Sequence, residues 1–153
     1  MQAHLITAVM LAIALGLAVA LPPLDADRAL AEKLLDVDQV EPVALTRPDD
    51  GGGPPAFRSG DRAVLFFDQV GVQGPIRGAI VIDADRITRL VLLRSSEGLD
   101  HTALSGGSIQ ESFRGQTAKP PLIVEAVSGA TISSQKLTDA VSARLKLWQA
   151  LAP

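Results

Sequence analysis

Apolar positions along the chain change period several times, and each change marks a different element. From Leu5 to Leu21 the sequence LITAVMLAIALGLAVAL runs for seventeen residues without a charge. As a helix it covers about 25 Å of a hydrocarbon layer roughly 30 Å thick. After Pro22-Pro23, Leu30, Leu34 and Leu35 recur at helical spacing within DADRALAEKLLDVDQV, with Asp25 or Asp27 as a candidate cap. Three β-branched or aromatic-rich runs follow, AVLFF at 63–67, IRGAIVID at 76–83 and ITRLVLLR at 87–94. They are separated by Gly71, Gly74-Pro75 and Asp83 to Asp85, the punctuation of antiparallel strands. LIVEAV at 122–127 reads as a buried strand. Leu137, Ala140, Val141, Leu145, Trp148 and Leu151 then share one face of a helix formed by SSQKLTDAVSARLKLWQAL.

Between these runs the chain is rich in Gly, Pro and Asp. RPDDGGGPPAFRSGD, residues 47–61, reads as an irregular loop; 95–121 reads as loops with a helical turn over Ser108 to Phe113. The pattern predicts an α+β fold, a small antiparallel sheet with packed helices, preceded by one N-terminal hydrophobic helix. It divides the chain into an anchor or signal peptide at 1–22, a helix and Pro/Gly-rich linker at 23–61, and a folded domain at 62–153.

Two readings of the first segment stand. It is long enough for a retained single-pass anchor, while Ala18-Val19-Ala20 has the small-x-small form of a signal peptidase site. Both place the remainder outside the cytoplasmic membrane, at its surface or secreted to the periplasm; Asp25 and Asp27 suit a translocated flank.

Composition narrows the chemistry. Fourteen basic residues are scattered among seventeen acidic ones, and aromatic residues make up 3% of the chain, so neither a phosphate-tracking stripe nor a stacking platform for nucleic acid is present. The sequence contains no cysteine and two histidines, which leaves no basis for disulfides, thiolate clusters or a self-contained metal centre. Redox chemistry would need an organic cofactor.

The informative stretch lies between the last strand and the last helix, Glu125-Ala126-Val127-Ser128-Gly129-Ala130-Thr131-Ile132-Ser133-Ser134. Gly129 and Ala130 keep side-chain bulk away from the backbone, and a helix starting near Thr131 to Ser134 offers free N–H groups and a positive dipole end, a seat for phosphate. The same residues also read as a simple turn in which Ser133 or Ser134 caps the helix.

SGATISS behind an acidic residue resembles the D-x-x-S-G-A-T-x-S/T flavinylation signature of the FMN-binding domain family, which includes subunits of the Rnf and Na+-pumping NADH:quinone reductase complexes. The resemblance covers roughly residues 63 to 147 and takes in the Gly-rich entry to GPIRGAIVID and the Phe113-Arg114-Gly115 step. It implies that a flavin transferase, with FAD as donor, esterifies the FMN phosphate to Thr131. It further implies that Ser128, Gly129, Ala130, Ile132 and Ser133 surround the cofactor, and that Glu97, Gly98 and Leu99 line its pocket. Two positions depart from the family pattern: Glu125 stands for the usual Asp, and the E-T-P-G-L-G loop is reduced to Glu97-Gly98-Leu99-Asp100.

The implied function is an electron relay between redox partner proteins in or at the membrane, with covalent FMN as carrier, Thr131 as tether and no catalytic residue. A Rossmann G-x-G-x-x-G is lacking, which argues against direct oxidation of a nicotinamide. The alternatives are a non-redox assembly subunit of a membrane complex and a flavin-donor module of a periplasmic reductase.

Overall fold

A computed structural model describes residues 24–45, 53–72, 74–95, 108–124 and 131–151. The hydrophobic segment at 1–22 lies outside them, and no helix among the described residues is long and apolar enough to cross a membrane. Helix α1 spans Leu24–Leu35. Strands β1 (Glu41–Val43), β2 (Ala56–Ser59), β3 (Arg62–Val70), β4 (Pro75–Asp83) and β5 (Arg86–Ser95) follow, then helices α2 (Ser108–Phe113) and α3 (Thr131–Leu151). The strands form one sheet in the order β1-β2-β3-β4-β5, every neighbour antiparallel. The α+β architecture is the one the apolar pattern predicts.

Both faces of the sheet are covered, which is why AVLFF reads as an unbroken apolar run. Along β3, Leu65 and Phe67 point to a core that includes Ile80 and Ile82 of β4, Ile109 and Phe113 of α2, and Leu137, Val141 and Leu145 of α3. Val64 and Phe66 point the other way, to Ala31 and Leu35 of α1, with Phe57 of β2 edge-on to Phe66. Each large apolar side chain buried in this way contributes about 1.5–3 kcal/mol.

Helix α1 is held at both ends by arginines of the sheet. Asp25 and Asp27, the two candidate caps, both lie inside the first turn instead, and Asp27 accepts from the Arg77 guanidinium at 2.6 Å. At the other end Arg62 and Arg89 donate to the carbonyls of Leu35 and Leu34, where cations complement the helix dipole.

Three sequence expectations change. Ala56–Ser59, read as part of an irregular loop, is strand β2: Ala56 and Phe57 are buried and pair with Leu65 and Val64 of β3. Its apolar pair was too short to stand out between Pro54-Pro55 and Gly60. The sheet thus runs across position 61/62, and β1 and β2 belong to it. Leu122 to Val124 join no strand; the Gln116 side-chain amide instead donates to the Ile123 carbonyl and accepts from its N–H, standing in for a neighbouring strand. Residues 125–127 lie outside the described residues. Leu151, expected on the packed face of α3, is exposed in the last turn, whereas Trp148 packs half-buried against the core.

Arg144 of α3 is buried and closes the region between β1 and β2. Its guanidinium donates to the carbonyls of Leu45 (3.1 Å) and Pro54 (2.7 Å), while Nε has no partner among the described residues. Burial lowers its pKa from the ordinary value, and the Asp68 carboxylate opposes that shift. Arg144→Met keeps the aliphatic stem but leaves both carbonyls unpaired. It is expected to cost about 2 kcal/mol, read in the full chain as a fall of roughly 6–8 °C in the thermal midpoint.

Candidate functional site at the start of the last helix

One end of the sheet carries the β3–β4 turn, the end of β5 and the start of the last helix. Strands β3 and β4 meet there in a turn closed by Gly71 N–H donating to the Gly74 carbonyl at 2.7 Å. Strand β5 ends at the same end, since its last residue, Ser95, pairs with Ile76. Glu97, Gly98 and Leu99, expected to line the pocket, lie outside the described residues.

Helix α3 begins beside the same turn. The Lys136 ammonium, in the second turn of the helix, donates to the carbonyls of Gly71 (3.3 Å) and Val70 (3.4 Å). Near the other end of α3, Gln149 donates to the Ala118 carbonyl, and Ala118 N–H donates to Asp85 in the β4–β5 turn. The helix thus runs the length of the sheet, with its positive end at the β3–β4 turn.

Thr131 is the first residue of α3. Ser128, Gly129 and Ala130, which precede it, lie outside the described residues. Ile132 is 65% exposed, while Ser133 and Ser134 are buried within the first turn. Neither serine is the N-cap, because the helix starts before both of them; the simple capping reading of Ser133 or Ser134 therefore does not describe this turn. Among the described residues the buried Ser134 Oγ has no hydrogen-bond partner, although the Ser134 carbonyl accepts from Thr138 Oγ1 at 2.8 Å.

Residues 71–146 match the family model described as the FMN-binding domain. Through these residues the chain belongs to the FMN-binding domain family. It is a flavin-binding protein with FMN as cofactor. Comparison with curated proteins gives no match.

The residues present fit an FMN-binding domain that receives a phosphate at α3. A 21-residue helix leaves the N–H groups of its first turn without intrahelical acceptors. A buried hydroxyl in that turn, Ser134 Oγ, has no partner among the described residues, and such groups ordinarily find one. The Lys136 ammonium adds positive charge one turn further along. Sequence reasoning found the helix start but passed over Lys136 and its contact with the β3–β4 turn. Gly71 and Gly74 signalled a turn there, but nothing in the spacing of 70–74 revealed that the turn meets α3.

Proposed function

We propose that the chain is an electron-transfer flavoprotein that carries FMN covalently on Thr131, outside the cytoplasmic membrane. The observation that carries this reading is the position of Thr131, the last residue of S-G-A-T, as the first residue of a long helix inside the family span. In the attachment step the Thr131 hydroxyl oxygen bonds to the FMN phosphorus of an FAD donor. The pyrophosphate bond of FAD breaks, AMP leaves and the hydroxyl proton passes to solvent or to the flavin transferase.

When bound, FMN supplies the one- and two-electron chemistry of the relay. The chain supplies the tether and the electrostatics: free N–H groups and the dipole of α3 favour the negative phosphoester, worth about 0.3–1 kcal/mol at an exposed helix end. Covalent attachment suits a periplasmic location, where a dissociated cofactor would be lost by dilution. The apolar segment at 1–22 supports a single-pass anchor or an export signal, with redox partner proteins in or at the membrane.

The test is intact mass. Co-expression with a flavin transferase in an exporting host is expected to add about 438 Da, the mass of an esterified FMN, to the chain. Export without the transferase should leave the mass unchanged. An unmodified chain under conditions that flavinylate another member of the family would overturn the covalent reading.

A further inference from the structure

Helices α1 and α3 lie on opposite faces of the sheet, yet both start at the same end of it. On α1, Asp27 accepts from Arg77 at 2.6 Å, and Arg77 is the third residue of β4, opposite Asp68 and close to the β3–β4 turn. The last residues of α1 reach the far end, where Arg62, paired with Asp83, donates to the Leu35 carbonyl. On α3, the Lys136 contact with the Val70 and Gly71 carbonyls fixes the start of the helix at the same turn. Among the described residues Val70, Val72 and Ile132 are exposed at this end, and Ile123 and Leu151 at the other, so bare apolar side chains alone give the domain no direction. The chain before α1 does. Its uncharged run ends at Leu21, and Pro22 and Pro23 are all that separate it from Leu24, the first residue of α1. Three Cα steps span at most about 11 Å. That keeps the start of α1 close to a headgroup layer roughly 5–8 Å thick when the run crosses the hydrocarbon.

We propose that the end of the sheet bearing the β3–β4 turn and the start of α3 is a membrane-facing surface, held at the lipid headgroups by the segment at 1–22. This rests on the reading of that segment as a retained anchor. The two prolines have a fixed φ and give the joint little play. Helix α1 is clamped to the sheet by Arg77 at its start and by Arg62 and Arg89 at its end, so the domain follows the anchor as one body. Val70 alternates with Phe66 onto the face that α1 covers, at the end where α1 starts, and is 72% exposed. A headgroup boundary accommodates such side chains. Asp25, exposed beside the anchor, gives anionic lipid no advantage, so the tether and apolar contact hold this surface, not charge. With FMN on Thr131, electrons are exchanged at the bilayer surface, which favours a carrier dissolved in the membrane over a soluble one.

The sequence has no cysteine, so single-cysteine variants of the full chain each take one fluorescent label. Val72→Cys and Ile123→Cys place exposed labels at opposite ends of a sheet whose nine-residue β4 is about 30 Å long. Intact mass is read first, then quenching in phosphatidylcholine vesicles that carry nitroxide on their headgroups. The Val72→Cys label should be quenched several-fold more than the Ile123→Cys label. Equal quenching, or more at Ile123→Cys, overturns the membrane-facing end. A chain recovered without its first segment has no anchor and overturns it as well, leaving attachment at Thr131 standing. A Val72→Cys label shielded from a water-soluble quencher in native membranes but unquenched in the vesicles assigns this end to a membrane protein and overturns the lipid contact. The labels report without flavin, so the two readings fail separately. A chain that takes no FMN yet shows the expected difference keeps the membrane-facing end while the covalent reading falls, and an adduct with equal quenching does the reverse.

Discussion

Thr131→Val is expected to abolish the FMN adduct completely while leaving the fold in place. Valine keeps the β-branched shape of threonine and has a similar helix propensity, so the first residue of α3 changes little as a piece of backbone. What it removes is the one oxygen at that position that can bond to phosphorus. Ser133→Ala and Ser134→Ala should still carry the added mass, because both serines are buried within the first turn of the helix. The comparison is made by intact mass and visible absorbance after co-expression, with far-UV circular dichroism as the measure of folding. An adduct surviving in Thr131→Val would move the attachment to another hydroxyl of SGATISS; loss in all three variants alike would point to damage to the helix start.

The parts of this fold that were legible in the sequence are those where one period persists. The runs at 63–67, 76–83 and 87–94 correspond to β3, β4 and β5, because strands buried on both faces are written as continuous apolar residues. Helix α3 was legible from Leu137, Val141 and Leu145, all fully buried. Strand β2 was not, since two buried residues between proline and glycine give too few positions to define a period. Leu122 to Val124 misled for the opposite reason: the apolar run is not buried, with Ile123 exposed, and its backbone partner is the side chain of Gln116. For the proposed site, S-G-A-T suggests a chemistry but gives no place in the fold. That Lys136 joins α3 to a turn sixty-five residues earlier is a long-range contact without any local signature.

The family span begins within the β3–β4 turn and ends inside α3. Residues before it nevertheless complete the structure. Strand β3 pairs with the whole of β4, from Arg62 opposite Asp83 to Val70 opposite Pro75, and α1 covers the face that α2 and α3 leave open. The turn that meets the start of α3 exists only because β3 delivers Val70 to it. The residues that bear the motif and those that support it are thus divided between the matched span and the strands and helix that precede it.

That dependence is sharpest at Gly78, where Gly78→Ala is expected to destabilise the full chain by about 3 kcal/mol, at the upper end of the usual cost of overpacking. Gly78 on β4 pairs with Phe67 on β3, whose ring lies across the glycine. A Cβ there would stand 2.4 Å from Phe67 Cζ and 2.8 Å from the Val91 carbonyl oxygen, so a buried ring and a neighbouring strand would both have to move. The shift should appear as a fall of roughly 10 °C in the thermal midpoint. Phe67→Leu removes the ring at a cost of its own, roughly 1–2 kcal/mol for the space left in the core. Combined with Gly78→Ala it should cost at least about 1 kcal/mol less than the sum of the single variants, since each relieves part of the strain made by the other. Relief stays incomplete because the Val91 carbonyl belongs to the backbone of β5. Strict additivity in this cycle would mean that the ring yields freely, and that the glycine is required by the close approach of β5 alone.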